Sequence, residues 1–414
     1  MSGPVDVAIV GAGPAGAAAA ITAARAGLEV AVVDKATFPR DKTCGDGLTV
    51  WALRQLEHLG WDPSTAPSYR TVDAAWVGSP SRRLVEFALP AGPGAFAAVV
   101  RRTELDAALV DLARASGAEV LEGASCVGAT PTSDGVRLML SGDRTVDARV
   151  VIGADGMWSS LRQHLGGPSG YLGDWHAFRQ YVRDVGPLAA ERLYAWFEPD
   201  FLPGYAWSFP LGDGGANVGF GILRSSTWRV GAMKTLWPEL LARPHIRAVL
   251  GPDATPEGPH RAWPIPCRLG AVPASIGRAL FVGDAVAAAD PLTGEGIGQA
   301  LATGSWAAEA ILAAPVADLD RVGDRYAERL AADLGPDHRM SWWLNSALSH
   351  RKGARTAIRV ASLSEWTRTN FARWLFEDYP RGIALTPGRW RRGILTGPGA
   401  FAPDPPRTTG AADG

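Results

Sequence analysis

The chain has 414 residues, and its 41 basic and 42 acidic side chains leave a formal net charge of −1. This balance gives no electrostatic reason to expect a nucleic acid partner, and the length predicts two consecutive or interleaved domains. Three cysteines are too few for a disulfide framework, so the sequence predicts a cytoplasmic protein, and no apolar run is long enough to cross a bilayer.

A strand, a glycine-rich turn, a helix and a second strand are predicted at the start of the chain. The run VDVAIV is of the buried-strand type, and GAGPAG follows it directly. Gly11, Gly13 and Gly16 form a GxGxxG pattern, in which the first glycine allows a tight turn, the second lets the backbone approach a pyrophosphate, and the third lets helix and strand pack closely. Asp34 closes the second strand at the spacing expected for a ribose hydroxyl contact, so these residues predict a dinucleotide site.

The segments that follow alternate between helical and strand patterns. GLTVWALRQLEHLG, residues 47–60, has helical spacing with Leu48 on its apolar face. From about residue 167 to 277, β-branched and aromatic residues alternate and predict an antiparallel sheet. A buried strand at 278–285 then leads into a glycine-rich helix start, and the chain beyond about residue 316 is predicted to be helical.

These elements predict an α/β protein in which a β-sheet domain interrupts the nucleotide-binding domain. The predicted boundaries are residues 1–70, 96–166 and 278–333 for the nucleotide-binding domain, 71–95 and 167–277 for a substrate-binding sheet domain, 334–395 for a helical C-terminal segment, and 396–414 for a flexible tail. The helical segment carries Trp342, Trp343, Trp366, Trp374 and Trp390, whose role the sequence leaves open.

Two further motifs distinguish between dinucleotide cofactors. IGADGMWSSLR, starting at Ile152, and RALFVGDAVAAADPLTGEGIGQAL, starting at Arg278, resemble in order and spacing two fingerprints of the FAD-dependent hydroxylase superfamily, the p-hydroxybenzoate hydroxylase-like enzymes. The resemblance implies a Rossmann-like FAD-binding domain of the GR2 type that holds FAD non-covalently. It also implies contacts to FAD from Asp155, Asp284 and Arg102.

The motif that starts at Arg278 also predicts an electrostatic effect on the flavin. A helix that starts at residues 294–297 would direct free backbone N–H groups at the isoalloxazine ring. A reduced flavin is anionic, and a helix N-terminus favours that charge. Glu295 lies in the same turn, and a structural or flavin-edge role is predicted for it.

The stretches FPRDKTCGDGL, around Cys44, and LPGYAWSFP, around Tyr205, resemble the geranylgeranyl reductase family within that superfamily. The resemblance extends from about residue 5 to 312, and actinobacterial menaquinone-chain reductases are its nearest members. It implies an enzyme that saturates isolated double bonds in isoprenoid chains, with NADPH, NADH or another donor as the reductant. The implied partner is a lipophilic small molecule, and the oligomeric state stays open.

Cys44, Tyr205 and Trp207 are the candidate catalytic residues. A hydride added to one alkene carbon requires a proton on the other, and a thiol in a charged loop could donate it, although a packing role is the alternative. Tyr205 and Trp207 alternate along a strand and share one face, where they could line a prenyl channel or simply belong to the core. Phe209 and Phe220 are assigned to the same apolar wall, whereas Cys126 and Cys267 are predicted to serve packing.

The candidate cofactor-binding residues comprise the glycine motif, the end of the second strand, the cysteine loop and the later fingerprints. They are Gly11, Gly13, Gly16, Asp34, Lys35, Cys44, Gly45, Arg102, Asp155, Asp284, Pro291, Gly294, Gly296 and Ile297. The scattered histidines show no metal-binding spacing, so no metal is predicted.

Three other functions compete with the reductase. A flavin monooxygenase would share the fold, and a non-catalytic flavin- or lipid-binding protein would share the cofactor motifs. A flavin halogenase requires a W-x-W-x-I-P motif and an active-site lysine, whereas this chain has YAWSFP and no lysine between Lys42 and Lys234. Arg389, Arg391 and Arg392 could contact anionic lipid headgroups at the inner face of the membrane, or could equally form a solvated surface.

Overall fold

The computed structural model describes residues 3–224, 230–391 and 393–403, so that Arg392 and the end of the predicted tail lie outside the described residues. The strands are β1 (Val5–Val10), β2 (Val30–Val33), β3 (Gly47–Thr49), β4 (Arg70–Thr71), β5 (Ala74–Gly78), β6 (Leu84–Ala88), β7 (Ala97–Val99), β8 (Glu119–Leu121), β9 (Cys126–Pro131), β10 (Val136–Leu140), β11 (Arg144–Gly153), β12 (Trp175–Arg183), β13 (Leu193–Trp196), β14 (Tyr205–Pro210), β15 (Ala216–Leu223), β16 (Thr255–Ile265), β17 (Ser275–Ile276) and β18 (Ala279–Phe281). The helices are α1 (Pro14–Arg25), α2 (Val50–His58), α3 (Arg102–Ala115), α4 (Ser160–His164), α5 (Pro187–Glu191), α6 (Met233–Ala242), α7 (Pro244–Leu250), α8 (Ile297–Leu312), α9 (Val322–Asp333), α10 (Gly335–Leu348), α11 (Arg351–Ala361) and α12 (Glu365–Leu375).

The first sheet has the order β17-β18-β11-β1-β2-β8, and β9 and β10 extend it as an antiparallel hairpin beside β11. Its central strands run parallel, with Val7 opposite Val150 on one side and Val30 on the other. These strands are almost wholly apolar because the sheet is buried. Helix α1 packs against α3 and α8, and its alanines allow α8 to approach closely: a Cβ on Gly304 would lie 2.0 Å from the carbonyl oxygen of Ala15.

The second sheet has the order β16-β12-β15-β14-β13-β5-β6. Neighbouring strands are antiparallel except for β13 and β5, which run parallel. One face of this sheet packs on α5, α6 and α7 through an aromatic cluster that includes Phe178, Phe220 and Trp237. A small antiparallel sheet of β3, β7 and β4 lies at the base of the cysteine loop. The antiparallel sheet predicted between the pieces of the Rossmann-like unit is therefore confirmed.

The helices at the C-terminal end of the chain pack over the edge of the second sheet. Phe371 of α12 lies against Phe87 of β6, with ring centroids 4.8 Å apart, and Ile358 of α11 belongs to the same apolar cluster. This cluster joins residues far apart in the sequence, so the C-terminal helices form part of the folded core. The predicted α/β fold with a helical C-terminal segment is confirmed.

Two local expectations differ from the structure. Leu48 was expected on a helix, but it lies in β3 and is buried, because the side chain of Thr49 caps α2 and the helix begins only at Val50. The start of the predicted tail is also held in place: Ala400 is buried and exchanges two backbone hydrogen bonds with Ala95. Within the described part of the chain, no helix combines the length and apolarity needed to span a membrane.

Candidate active site

A cavity of about 760 Å³ opens between the two sheets and the C-terminal helices. The glycine-rich turn after β1, the end of β2 and the loop that holds Cys44 line one part of it. Strands β5 and β14 and helices α10 to α12 line the other part. The cavity therefore combines a polar end built from backbone and charged groups with an apolar end built from aromatic and aliphatic side chains.

At two positions of the glycine-rich turn, another part of the backbone lies so close that only glycine fits. At Gly11, φ is +103° and a Cβ would lie 2.4 Å from the carbonyl oxygen of Ala154. At Gly16, a Cβ would lie 1.8 Å from the carbonyl oxygen of Gly11, so this glycine serves the contact between helix and strand. Gly13 differs, because the nearest atom that a Cβ would meet is a guanidinium nitrogen of Arg40 at 3.5 Å, and Gly13 itself lines the cavity. The space at Gly13 is thus left free for a ligand at the N-terminus of α1.

Gly13→Val is therefore expected to leave the fold intact and to lower FAD occupancy by at least about tenfold, because the added side chain would fill the space that a pyrophosphate needs. Flavin absorbance per polypeptide and the thermal unfolding midpoint would measure the two effects. Gly92→Val is the control, since Gly92 is exposed and no atom would lie within 4 Å of its Cβ. Full occupancy in Gly13→Val would contradict this assignment.

Two carboxylates flank the turn. Asp34 accepts hydrogen bonds from the backbone N–H groups of Ala12 and Ala36, at 2.7 and 2.8 Å, and so joins the ends of the glycine turn and β2. Asp155 caps α4 by accepting from the N–H of Leu161 through Oδ2. Its other oxygen, Oδ1, is buried and has no hydrogen-bond partner among the described residues, so it is available to a hydroxyl or amide of a bound group.

Three cations line the polar end of the cavity. Arg102 donates two hydrogen bonds to the buried carboxylate of Asp106, and Arg40 lies 3.1 Å from the same carboxylate without hydrogen-bond geometry. Burial lowers the pKa of Lys42 to about 8, against the opposing effect of Asp284. Burial raises the pKa of Asp284, and Lys42 and Arg102 oppose it. Three cations at one end of the cavity fit the negatively charged phosphates of a dinucleotide.

The N-terminus of α8 differs from the expectation of free N–H groups. The carboxylate of Glu295 accepts from the N–H groups of both Ile297 and Gly298, at 2.9 and 3.0 Å. Glu295 therefore caps its own helix and occupies donors that had been predicted to face the flavin. Burial raises the pKa of Glu295 to about 7, while these two N–H groups lower it. Glu295 still lines the cavity, beside Gly294 and Gly296.

Cys44 lies on the cavity wall and is half-buried. Its Sγ accepts a hydrogen bond from the backbone N–H of Asp46 at 3.3 Å. Burial raises the pKa of the thiol, and the nearby Arg102 guanidinium opposes this effect. The thiol is therefore protonated at neutral pH, next to a cation that would stabilise the thiolate left after a proton transfer.

A buried hydrogen-bond network holds the Cys44 loop on the second sheet. Asp46 accepts from the hydroxyl of Tyr181 at 2.6 Å and from the amide of Asn217 at 2.9 Å. The same Asn217 amide donates to the carbonyl oxygen of Cys44, and its oxygen accepts from the indole N–H of Trp207. Asn217 thus links the thiol loop to the aromatic wall. Neither Asn217 nor Tyr181 was identified from the sequence, because they lie more than a hundred residues from Cys44 and show no motif.

Asp46→Asn is expected to gain stability relative to the wild type as the pH rises. Burial raises the pKa of Asp46 from 3.8 to about 6, with the hydrogen bonds from Tyr181 and Asn217 opposing it. The folded state therefore binds this proton more tightly than the unfolded state, so the stability it contributes is complete below pH 3.8 and is lost as the pH rises towards 6. The difference in unfolding free energy between variant and wild type should grow by about 2 kcal/mol from pH 4 to pH 7.

Urea unfolding of both proteins at the two pH values would measure this change. Asn tolerates the positive φ of 64° at this position, so the substitution keeps the local backbone. A difference that stays constant across the range would mean that Asp46 ionises normally in the folded protein.

The aromatic wall is formed by alternate residues of β14. Tyr205 and Trp207 both line the cavity with ring centroids 6.0 Å apart, and Phe209 follows at the same distance from Trp207. The prediction for Phe220 is wrong, because it lies opposite Ala206 in the strand register and its ring is buried on the other face. The hydroxyl of Tyr205 donates to the carbonyl oxygen of Thr293, which ties the wall to the glycine-rich turn before α8.

The C-terminal helices form the apolar end of the cavity, a role that the sequence left open. Helices α10, α11 and α12 contribute Leu344, Leu348, Ala354, Ala357, Ile358, Phe371, Trp374 and Leu375 to its lining. No charged side chain is among these residues, so this end of the cavity suits a hydrocarbon chain.

A buried ion pair joins this helical segment to the turn before α8. Arg381 donates to Asp290 at 2.6 Å, and both side chains are almost completely buried. Arg381 also donates to Thr293 and to the carbonyl oxygen of Trp374. Burial alone would raise the pKa of Asp290, but Arg381 and the N–H of Thr293 outweigh it and lower the pKa. The glycine-rich turn thus depends on the C-terminal segment for its position.

The predicted site residues fall into two groups. Those that line the cavity between the sheets are Gly11, Gly13, Asp34, Lys35, Cys44, Gly45, Arg102, Asp155, Tyr205, Trp207, Asp284, Gly294, Gly296 and Ile297. Gly16 and Pro291 are buried behind it, where the carbonyl oxygen of Pro291 accepts from Trp175 and Asn345. Among the described residues, no group of three His, Cys, Asp or Glu side chains forms a possible metal site.

Comparison with known proteins identifies the cofactor. A family model described as an FAD binding domain matches residues 4–185, which include the glycine turn, Arg102 and Asp155. The free space at Gly13, the unpaired Oδ1 of Asp155 and the cationic end of the cavity fit that dinucleotide. The protein is an FAD-dependent oxidoreductase.

Its relatives define the family. The menaquinone reductase of Mycobacterium tuberculosis is 38% identical over 339 residues, with 78% of this chain and 80% of that protein covered. The digeranylgeranylglycerophospholipid reductase of Methanosarcina acetivorans is 30% identical over 377 residues, with 87% and 88% covered. The chain belongs to the geranylgeranyl reductase family.

Solved structures show how widely the fold is shared. A geranylgeranyl bacteriochlorophyll reductase-like protein from Thermoplasma acidophilum superposes with a TM-score of 0.79 at 22% identity, covering 94% of this chain and 99% of that one. A variant of the halogenase PltM in complex with FAD gives a TM-score of 0.72 at 19% identity, covering 91% and 83%. The fold alone therefore does not select the reaction.

Proposed function

We propose that this protein reduces isolated carbon–carbon double bonds in the isoprenoid chain of a lipid, of the menaquinone or geranylgeranyl type. The observation that carries the proposal is the position of Cys44, whose thiol lies on the wall of a cavity that is also lined by aromatic and aliphatic side chains. The names of the relatives, which act on menaquinone and on a digeranylgeranyl lipid, support the same substrate class.

The proposed reaction balances with one hydride and one proton. FAD held at the glycine-rich turn and Arg102 would, once reduced, supply the hydride for one alkene carbon. Cys44 donates its proton to the other carbon, and Arg102 stabilises the resulting thiolate until solvent returns the proton. Asp46 and Asn217 hold the loop so that the thiol stays beside the aromatic wall.

The apolar lining supplies the binding energy for such a substrate. Tyr205, Trp207 and Phe209 form one part of this lining, and apolar residues of α10 to α12 form another. Each methylene that leaves water contributes about 0.8 kcal/mol, so a chain several isoprene units long gains affinity without polar anchors. A flavin monooxygenase is the second candidate, because the fold is shared and the polar end of the cavity could hold an aromatic substrate.

The proposal extends to the finer properties of the enzyme. FAD is held non-covalently, and a nicotinamide or another donor reduces it. The protein acts in the cytoplasm and contacts the inner face of the membrane, where such substrates reside. The division into FAD-binding, sheet and C-terminal regions, with the boundaries given by the sequence, is part of the same proposal. The separate sheets and the helices that cover them support it.

Anaerobic reoxidation of the reduced flavin tests the function. The photoreduced enzyme would be mixed with geranylgeraniol or with its fully saturated counterpart, and the oxidised flavin absorbance would be followed. We expect the absorbance to return only with the unsaturated alcohol, because only that molecule can accept the hydride. Equal reoxidation by both alcohols, or by neither, would count against the proposal.

A further inference from the structure

Large apolar side chains are exposed around the junction of α11 and α12. Leu363 and Trp366 are 70% and 68% exposed, and Val360 at the end of α11 is also exposed. Trp343 on α10, which packs against α11, is 72% exposed. Exposed tryptophan and leucine grouped in this way are typical of surfaces that contact a partner or a membrane.

The same region is strongly basic. Between residues 351 and 368 the chain has five basic side chains and one acidic one, Glu365, a net charge of +4. Lys352, Arg355 and Arg359 recur at helical spacing on α11, on the face opposite the buried Ala354 and Ile358. Within residues 3–224, 230–391 and 393–403, these three cations form no ion pair, so their charge is not neutralised by the protein.

Helix α11 forms part of the cavity wall. Ala357 of α11 both lines the cavity and is exposed to solvent. Its neighbours on the inner side, Ala354 and Ile358, belong to the apolar end of the same cavity. Helix α11 therefore presents Ala354, Ala357 and Ile358 to the cavity and its three cations on the other side, with the exposed Val360 and Leu363 following at its C-terminal end.

We infer that this surface, formed by Lys352, Arg355, Arg359, Val360, Leu363 and Trp366, docks the enzyme on a bilayer that contains anionic phospholipid. The cations would meet the headgroups, and the apolar side chains would enter the interface between headgroups and acyl chains. Docking would place α11, whose other face lines the cavity, at the bilayer where isoprenoid chains reside. The inference rests on the proposed function for its substrate, but the docking itself does not require turnover.

Sedimentation with lipid vesicles tests the inference. The FAD-loaded enzyme should bind vesicles of phosphatidylglycerol and phosphatidylcholine, and bind pure phosphatidylcholine far more weakly. Each basic residue near an anionic surface contributes about fivefold to partitioning, so Lys352→Gln/Arg355→Gln/Arg359→Gln should weaken binding by about a hundredfold. Leu363→Ser/Trp366→Ser should also lose binding, and added salt should weaken the wild type.

The matched control removes three charges elsewhere. Arg83, Arg144 and Arg247 are exposed and form no ion pair among the described residues, so Arg83→Gln/Arg144→Gln/Arg247→Gln changes the net charge equally and should keep vesicle binding. Flavin content and thermal unfolding would verify that each variant is folded.

Three results would overturn the inference. The first is equal binding of the wild type to neutral and anionic vesicles. The second is a loss of vesicle binding in the control variant as large as in Lys352→Gln/Arg355→Gln/Arg359→Gln. The third is a wild-type dimer in solution that Leu363→Ser/Trp366→Ser converts to monomer, because this would assign the surface to a second copy of the chain. Vesicle binding without flavin reoxidation by geranylgeraniol would refute the proposed function and leave the docking surface standing. Flavin reoxidation by geranylgeraniol without vesicle binding would refute the docking surface and leave the proposed function standing.

Discussion

Replacing Cys44 with serine is expected to lower turnover by about a hundredfold or more, because proton donation by a positioned acid contributes that much or more to such a step. A serine hydroxyl is similar in size to the thiol but is a far weaker acid. The loop should keep its position, since its anchors are the carbonyl oxygen of Cys44 and the side chain of Asp46, which the substitution leaves in place. FAD content should therefore match the wild type.

Single-turnover reoxidation of the reduced flavin by an isoprenoid substrate would measure the effect on the chemical step. Cys267→Ser is the control, because Cys267 is fully buried and does not line the cavity. Unchanged turnover in Cys44→Ser would reduce the residue to a part of the cavity wall and would remove the proton donor from the mechanism.

Replacing Arg381 with methionine is expected to lower the free energy of unfolding by about 3–5 kcal/mol, because it leaves the buried carboxylate of Asp290 without its cation. The same change frees Thr293 and the end of α12 from their contacts with the guanidinium. The turn before α8 should then lose its fixed position, and FAD affinity should fall together with stability.

Urea unfolding of three variants would separate the charge effect from a general loss of packing. Asp290→Asn/Arg381→Met should recover part of the lost stability, since Asp290 no longer leaves an unpaired buried charge and only the longer contact of Arg381 with Glu377 is lost. Arg137→Met, which breaks the exposed pair with Asp147, should show no resolvable change. A double variant as unstable as Arg381→Met, or a stable Arg381→Met, would show that the ion pair does not hold the turn.

Local patterns were sufficient to predict the glycine-rich turn and the two fingerprints whose residues line the polar end of the cavity. The turn at Gly11, Gly13 and Gly16 is fixed by contacts within a few residues and with the adjacent strand, so its residues identify it directly. The fingerprints that contain Asp155 and Asp284 could be recognised in the same way, since each is the end of a buried strand followed by a turn on the cavity wall.

The remaining features depend on contacts that no local pattern encodes. Asn217 meets Cys44 only because β15 pairs with β14, and the same register turns Phe220 away from the cavity. Glu295 was recognised as part of the helix start, but the rotation of its carboxylate onto Ile297 and Gly298 is a property of the folded turn.

The role of the C-terminal helices was also hidden, because their cavity-lining residues have ordinary helical spacing. Long-range contacts, such as the pair of Arg381 with Asp290, show how this segment reaches the turn before α8.

The mass of the product tests the central claim most directly. The chemically reduced enzyme would be incubated with a menaquinone-type or geranylgeranyl substrate, once under strict anaerobiosis and once with dioxygen, and the lipid extracts would be compared by mass spectrometry. The account predicts a product two mass units heavier for each reduced bond, formed without dioxygen and reduced in yield by Cys44→Ser. A product sixteen mass units heavier that forms only with dioxygen would contradict it and identify a monooxygenase on the same fold.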